Sequence, residues 1–222
     1  MNRVARILAP LLILAVIVGI VLRVDVNGWG SLVWIAMAAA MQVIRAPYAA
    51  ETKDNEIVSR PNRSLENWLL GGVFLFSQPL PLVHLLTGVF GFADYDLPGW
   101  ATALGAVGLL PGLWLFWRSH RDLGRNWSAT TELRQDQELV TNGVYRRMRH
   151  PMYTSLFIVF ALVPLLLHNV IAGFGGLVAF TILYLVRAPR EEEMMIDEFG
   201  DDYRRYRGST RRLLPLPMGS GG

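Results

Sequence analysis

Six apolar runs, each close to the length of a bilayer crossing, constrain this chain more than any other feature. Read between charges, they cover residues 7–22, 28–44, 67–90, 98–117, 152–167 and 170–186. A hydrocarbon core about 30 Å thick needs roughly 20 helical residues at about 1.5 Å each, so the runs read as membrane helices. The last two are short and separated only by His168 and Asn169, which predicts a tight helical hairpin. After the first run come Arg23, Val24 and Asp25, where a signal peptide would place small residues, so that run is expected to remain a membrane helix. Composition supports lipid as the solvent: 52% of the 222 residues are hydrophobic and 18% charged, against about a quarter charged in soluble domains. Mean hydropathy is +0.32. These values exclude a disordered chain, a nucleic-acid-binding surface and a secreted disulfide scaffold. The chain has no cysteine, which removes thiolate metal sites, thiol nucleophiles and cysteine-linked lipid anchors.

Six spans alternate the connections between two sides, and the basic residues divide unevenly between them. Arg3 and Arg6, the four Lys and Arg of residues 45–66, the seven of residues 118–151 and the seven from Arg187 onward fall on one side. Arg23 alone falls on the other. The positive-inside rule then places both termini and both long connections in the cytoplasm. The excess of 21 basic over 18 acidic residues is thus a topology signal.

The chain also divides by character. Residues 1–117 read as membrane helices 1–4, a scaffold and lipid-substrate side. Residues 118–215 read as a catalytic region, and residues 216–222 as a Gly/Ser-containing tail. In the first part Gly108 and Gly112 have the small-xxx-small spacing of close helix packing. Pro79 and Pro81 predict a kink in the third span. His84, a turn beyond them, has no His or carboxylate spaced to join it, and reads as a buried or interfacial histidine. In the second part, polar blocks at 118–153 and 187–215 flank the hairpin on the cytoplasmic side, and the hairpin brings them together. Pro151 holds His150 at the mouth of a membrane helix. Arg187 and Glu191 are four apart, a spacing that equally suits a plain surface ion pair on a helix. Met195, Phe199, Tyr203 and Tyr206 share one face of an expected cytoplasmic amphipathic helix, a lid over the hairpin mouth. The acidic run beginning at Glu191 is a solvated helix face, and no metal is expected.

These residues carry a family resemblance. Asp122-Leu-Gly-Arg-Asn-Trp-Ser128, Glu138-Leu-Val140, Gly143-Val-Tyr145, Arg149-His-Pro-Met-Tyr153, Arg187-Ala-Pro-Arg-Glu-Glu-Glu193, Glu198-Phe-Gly-Asp-Asp-Tyr203 and Arg212-Leu-Leu-Pro215 stand in one order. The stretch closely resembles the isoprenylcysteine carboxyl methyltransferases, their prokaryotic members most, over residues 100–215. The amino-terminal half matches in hydropathy alone and carries one helix more than the five-span prokaryotic members. The resemblance implies an all-α integral membrane protein, here with about six transmembrane helices, the last two a hairpin followed by the amphipathic helix. It implies S-adenosyl-L-methionine as cofactor and the α-carboxylate of a prenylated cysteine, or a similar lipidic acid, as methyl acceptor at the cytoplasmic membrane face. Carried over position by position, the cofactor contacts would be Gln137, Glu138, Leu139, Val140, Tyr145, His150, Pro151, Met152, Tyr153 and Glu191. Arg187 would hold the substrate carboxylate, and Arg187 with Glu191 would form the catalytic pair. Gln137 departs from the family, which usually has His there.

The residue types suit those roles. No G-x-G-x-x-G dinucleotide turn occurs in the chain, so a nucleotide cofactor must be held by another architecture. A sulfonium with an amino acid head suits a carboxylate and aromatic faces such as Tyr145 and Tyr153. Three other readings share parts of the pattern: a membrane methyltransferase acting on a phospholipid amine or a small thiol, an NADPH-dependent membrane sterol reductase, and a transporter. Transport commonly leaves charged groups near the bilayer midplane, whereas these spans offer little beyond Gln42, Gln78 and His84.

Overall fold

Backbone N–H and C=O groups in hydrocarbon must pair within the chain, and helices meet that requirement locally. The computed structural model describes residues 14–51, 57–59, 63–127, 133–134 and 138–215. Residues 14–21, the described part of the first expected span, are helical, and a single turn follows at Val24–Asn27. Then come α1 (Gly30–Glu51), α2 (Arg63–Ser77), α3 (Pro79–Thr87), α4 (Gly99–Leu123), α5 (Pro151–Leu167) and α6 (Val170–Ser209). Strands Ile57–Ser59 and Leu133–Arg134 pair antiparallel and tie the α1–α2 connection to the α4–α5 connection. Four stretches, Gly30–Ala49, Ser64–Thr87, Gly99–Leu123 and Val170–Ser209, are long and apolar enough to cross a membrane, while α5 is a shorter apolar helix of 17 residues. The fold is that of an all-α membrane protein.

The third span breaks at its prolines. Gln78 leaves helical geometry (φ −125°, ψ −72°), and Pro79 opens α3, where a missing N–H costs nothing. Small residues then set the distance between α4 and α5. A Cβ added at Gly108 would stand 2.9 Å from Leu162 Cδ1, and one at Gly112 3.0 Å from Ile158 Cγ2. The spacing therefore serves packing, as membrane helices gain cohesion by close approach.

Only His168 and Asn169 separate α5 from α6. His168 takes the left-handed conformation (φ 48°) that ends α5. Asn169 is fully buried and uses its whole amide: Oδ1 accepts from the Ile171 and Ala172 N–H groups, and Nδ2 donates to Phe90 O and Asp94 Oδ1. It caps α6 and fastens the turn to the α3–α4 connection. Directly after it, Gly173 brings its Cα close to Pro164, so that an added Cβ would stand 2.9 Å from Pro164 Cα.

Two expectations are corrected. His84 is joined by a carboxylate from outside its own helix, with Nε2 3.6 Å from Asp94 Oδ1 and its ring stacked on Phe90. The α3–α4 connection folds back in a way no local spacing reveals. And the amphipathic helix is set off from the last span later than the sequence suggests, at Gly200. The first part of α6, from Val170 to the kink at Gly200, runs through Pro189 without a break and is longer than the hydrocarbon core requires. Gly200 itself has φ 53° and ψ −123°, and after it residues 201–209 lie against Tyr145 and Met148. The break shifts the helical phase, so Met195, Tyr203 and Tyr206 line one cavity while Phe199 does not.

Candidate active site

The segment between α4 and α5 is shaped by two polar side chains from the end of α4 and the turn after it. Asp122 Oδ2 accepts from Val144 N at 2.9 Å and Arg118 Nε at 3.1 Å. A Cβ on Gly143 (φ 57°) would overlap the Asp122 carboxylate, so glycine is required there by conformation and by space. Asn126 Oδ1 accepts from Glu138 N at 2.9 Å, positioning the chain that leads to Leu139 and Val140. Tyr145 is buried in the resulting 3-10 turn. Its hydroxyl donates to Ser119 O at 3.4 Å, and its carbonyl accepts from the Tyr206 hydroxyl at 2.6 Å. Burial pushes the Tyr145 phenol far above its usual range, so it stays neutral.

Next, Arg149-His150-Pro151 joins the two helices of the hairpin to the chain's end. Pro151 takes the first helical position of α5 and is buried. His150 stands between two carboxylates: Nε2 is 3.2 Å from Glu192 Oε1, and Nδ1 is 3.8 Å from Glu191 Oε2. Glu192, only 2% exposed, also accepts from Arg149 Nε at 2.9 Å and in forked fashion from Arg212 Nε and Nη2 at 3.1 and 2.6 Å. The backbone continues the attachment, with Arg149 N donating to Arg211 O and His150 N to Arg212 O. One buried carboxylate thus locks α6, the mouth of α5 and the final segment together.

Two cavities meet at this junction. The first is the more polar of the two and measures about 170 Å³. It is lined by Glu138, Leu139, Val140, Tyr145, His150, Met152, Tyr153, Arg187 and Glu191, with Met194, Met195, Tyr203 and Tyr206 closing it from α6. The second is an apolar chamber of about 440 Å³ between α1, α2, α5 and α6, walled by residues such as Leu70, Val73, Phe74, Phe160, Phe180 and Leu183. Met152, Tyr153, Arg187 and Glu191 line both. At this shared wall Arg187 Nε lies 2.6 Å from Glu191 Oε1, and its Nη1 lies 3.4 Å from Glu66 Oε1. The pair is largely enclosed, with side chains 11% and 19% exposed, unlike a surface ion pair.

Nine of the expected site residues therefore surround one cavity. Pro151 does not line it and acts through the backbone at His150, while Gln137 falls outside the described residues. Sequence reasoning missed Glu66 and Glu192 as members of the site. Glu66 stands in the first turn of α2, where an acidic residue is favoured by the helix dipole and gives no other signal. Glu192 sits within a run of three glutamates whose individual directions only the helix phase decides.

Known proteins resemble this chain over the same region. The phospholipid methyltransferase family model matches residues 100–202. Protein-S-isoprenylcysteine O-methyltransferase A of Arabidopsis thaliana is 25% identical over 157 residues, 70% of this chain and 80% of the plant protein. Protein-S-isoprenylcysteine O-methyltransferase of Dictyostelium discoideum is 37% identical over 86 residues, 38% of this chain and 35% of that protein. Among solved structures, the eukaryotic intramembrane Ras methyltransferase, isoprenylcysteine carboxyl methyltransferase, superposes with a TM-score of 0.51 at 19% identity, over 98% of this chain and 88% of that one. The ordered motifs and these likenesses fall on the same part of the chain, which is similar there to the isoprenylcysteine carboxyl methyltransferases.

Proposed function

We propose that the chain methylates the α-carboxylate of a prenylated cysteine, or a similar lipidic acid, with S-adenosyl-L-methionine as donor, at the cytoplasmic face of the membrane. The observation that carries this reading is the shared wall: Met152, Tyr153, Arg187 and Glu191 stand between a polar cavity and an apolar, lipid-sized chamber. The chamber lies within the range of about 300–1,000 Å³ typical of small-molecule sites. The donor set of the polar cavity fits the cofactor, since Glu138 and Glu191 suit its cationic groups, and Tyr145, Tyr153 and Tyr206 offer aromatic faces for a sulfonium or an adenine. When bound, it supplies an electrophilic methyl group on a sulfur that leaves as a neutral thioether.

The protein's part is positional. A carboxylate acceptor is already ionised near pH 7, so no general base is needed. Arg187, held by Glu191 and Glu66, aims N–H donors at the junction of the two cavities. Because both carboxylates already share its charge, it can orient the acceptor without over-stabilising the ground state. Tyr153 and Met152 exclude water from the same wall, and alignment with desolvation can supply several kcal/mol. The test uses purified protein in detergent with labelled S-adenosyl-L-methionine and three acceptors: a farnesylated cysteine, a phosphatidylethanolamine and a thiol. A base-labile product from the first alone is expected. Product from the amine or the thiol alone would overturn the reading.

A further inference from the structure

Two guanidiniums and two carboxylates stand near the wall of the apolar chamber, but among the described residues both carboxylates are engaged with only one of the guanidiniums. Arg187 is engaged by two carboxylates, Glu191 and Glu66, which more than match its single charge. A second guanidinium, Arg45 near the end of α1, lines the same chamber and lies within electrostatic range of Arg187. Its cation sits 5.3 Å from the centroid of the buried Trp127 ring. No carboxylate among the described residues pairs with Arg45, and its side chain is exposed. A guanidinium seated over an indole face spends its charge on the ring and not on an anion, and its fork of N–H donors suits a carboxylate. An arginine serving only as a membrane-side anchor would have no need of a cavity wall or an aromatic seat.

We propose that Arg45 is a substrate-binding residue that captures the anionic end of the lipidic acceptor and delivers it to the wall formed by Arg187 and Glu191. The assignment rests on the carboxylate-acceptor reading above. It places a specificity determinant in the amino-terminal half, outside every motif of residues 118–215. Arg45 would distinguish an acid from its neutral derivatives, while the chamber reads the apolar tail.

The test measures steady-state kinetics of wild type, Arg45→Gln and Arg45→Lys with a farnesylated cysteine, alongside inhibition by the carboxamide of the same acceptor. Losing a charge-assisted contact should raise the acceptor KM of Arg45→Gln by about tenfold or more. Its kcat should stay within about threefold of wild type, with the KM for S-adenosyl-L-methionine unchanged. Arg45→Lys should recover part of the loss, and the carboxamide should inhibit all three proteins equally. An unmoved acceptor KM in Arg45→Gln, or equal weakening of acid and carboxamide, overturns the inference while leaving the methyltransferase reading intact. A wild-type protein that methylates no carboxylate acceptor overturns both.

Discussion

Neighbouring glutamates in α6 face different tasks because their partners differ. Glu191 is 19% exposed at the side chain and meets Arg187 at the cavity junction, whereas Glu192 is buried among Arg149, His150 and Arg212. Removing the first should cost chemistry, and removing the second should cost structure. Arg187→Ala and Glu191→Ala are each expected to lower kcat/KM by at least about 100-fold, the scale of losing one aligned electrostatic contact. Their melting temperatures should remain within a few degrees of wild type. Retained activity in either, at wild-type expression, would remove the pair from the mechanism. Glu192→Ala leaves two guanidiniums without their shared anion, a loss of about 3–5 kcal/mol for a broken buried pair. Its melting temperature should fall by on the order of 10 °C. A thermal midpoint equal to wild type would show that Arg149 and Arg212 need no anchor there.

At the scale of elements, the sequence is read best where one local rule decides and worst where two rules compete. The Gly108 and Gly112 spacing pointed to close packing because small residues at that period have few other uses, and the α4–α5 contact follows it. Pro79 was legible for the same reason. By contrast, the last apolar run ends at residue 186, yet α6 continues through Pro189. The break falls instead at Gly200, inside a charged stretch that reads as uninterrupted helix. Its φ of 53° with ψ of −123° is open to glycine alone, and an alanine there would be strained by about 1–3 kcal/mol. Gly200→Ala should relieve that strain by straightening the helix, which carries Tyr203 and Tyr206 away from the polar cavity. Calorimetric titration with S-adenosyl-L-methionine is expected to show affinity at least about tenfold weaker, equivalent to about 1.4 kcal/mol. Gly208→Ala, at an exposed helical position, serves as the control and should bind as wild type. Equal affinity in both variants would mean that the tyrosines after the break contribute nothing to the cavity.

Across the whole molecule, the site depends on meetings that sequence spacing cannot express. Glu66 and Arg187 come from α2 and α6, and Asp94, which folds back on His84, meets Asn169 only after the chain has crossed and returned. The ordered motifs pointed to the carboxyl-terminal residues that line the first cavity, but the amino-terminal half, apolar and motif-poor, concealed the residues it lends to the chamber. Among the described residues, one property was legible from charge alone: the division of basic residues between the two ends of the bundle. The polar cavity, the starts of α2 and α5 and the far end of α6 lie at the arginine-rich end, while the α3–α4 connection and the His168–Asn169 turn lie at the other. Because the chain has no cysteine, single cysteines report side directly without a prior replacement. Phe92, 82% exposed in the α3–α4 connection, and Gly208, exposed after the break in α6, are suitable positions. In intact cells a membrane-impermeant maleimide should label Phe92→Cys and leave Gly208→Cys unlabelled until the membrane is permeabilised. The positive-inside argument requires that order, since the span order expected from the sequence assigns twenty of the twenty-one basic residues to the side of Gly208. The reverse pattern would put the cavity on the outer face, away from a cytosolic supply of S-adenosyl-L-methionine, and the proposed reaction could not proceed there.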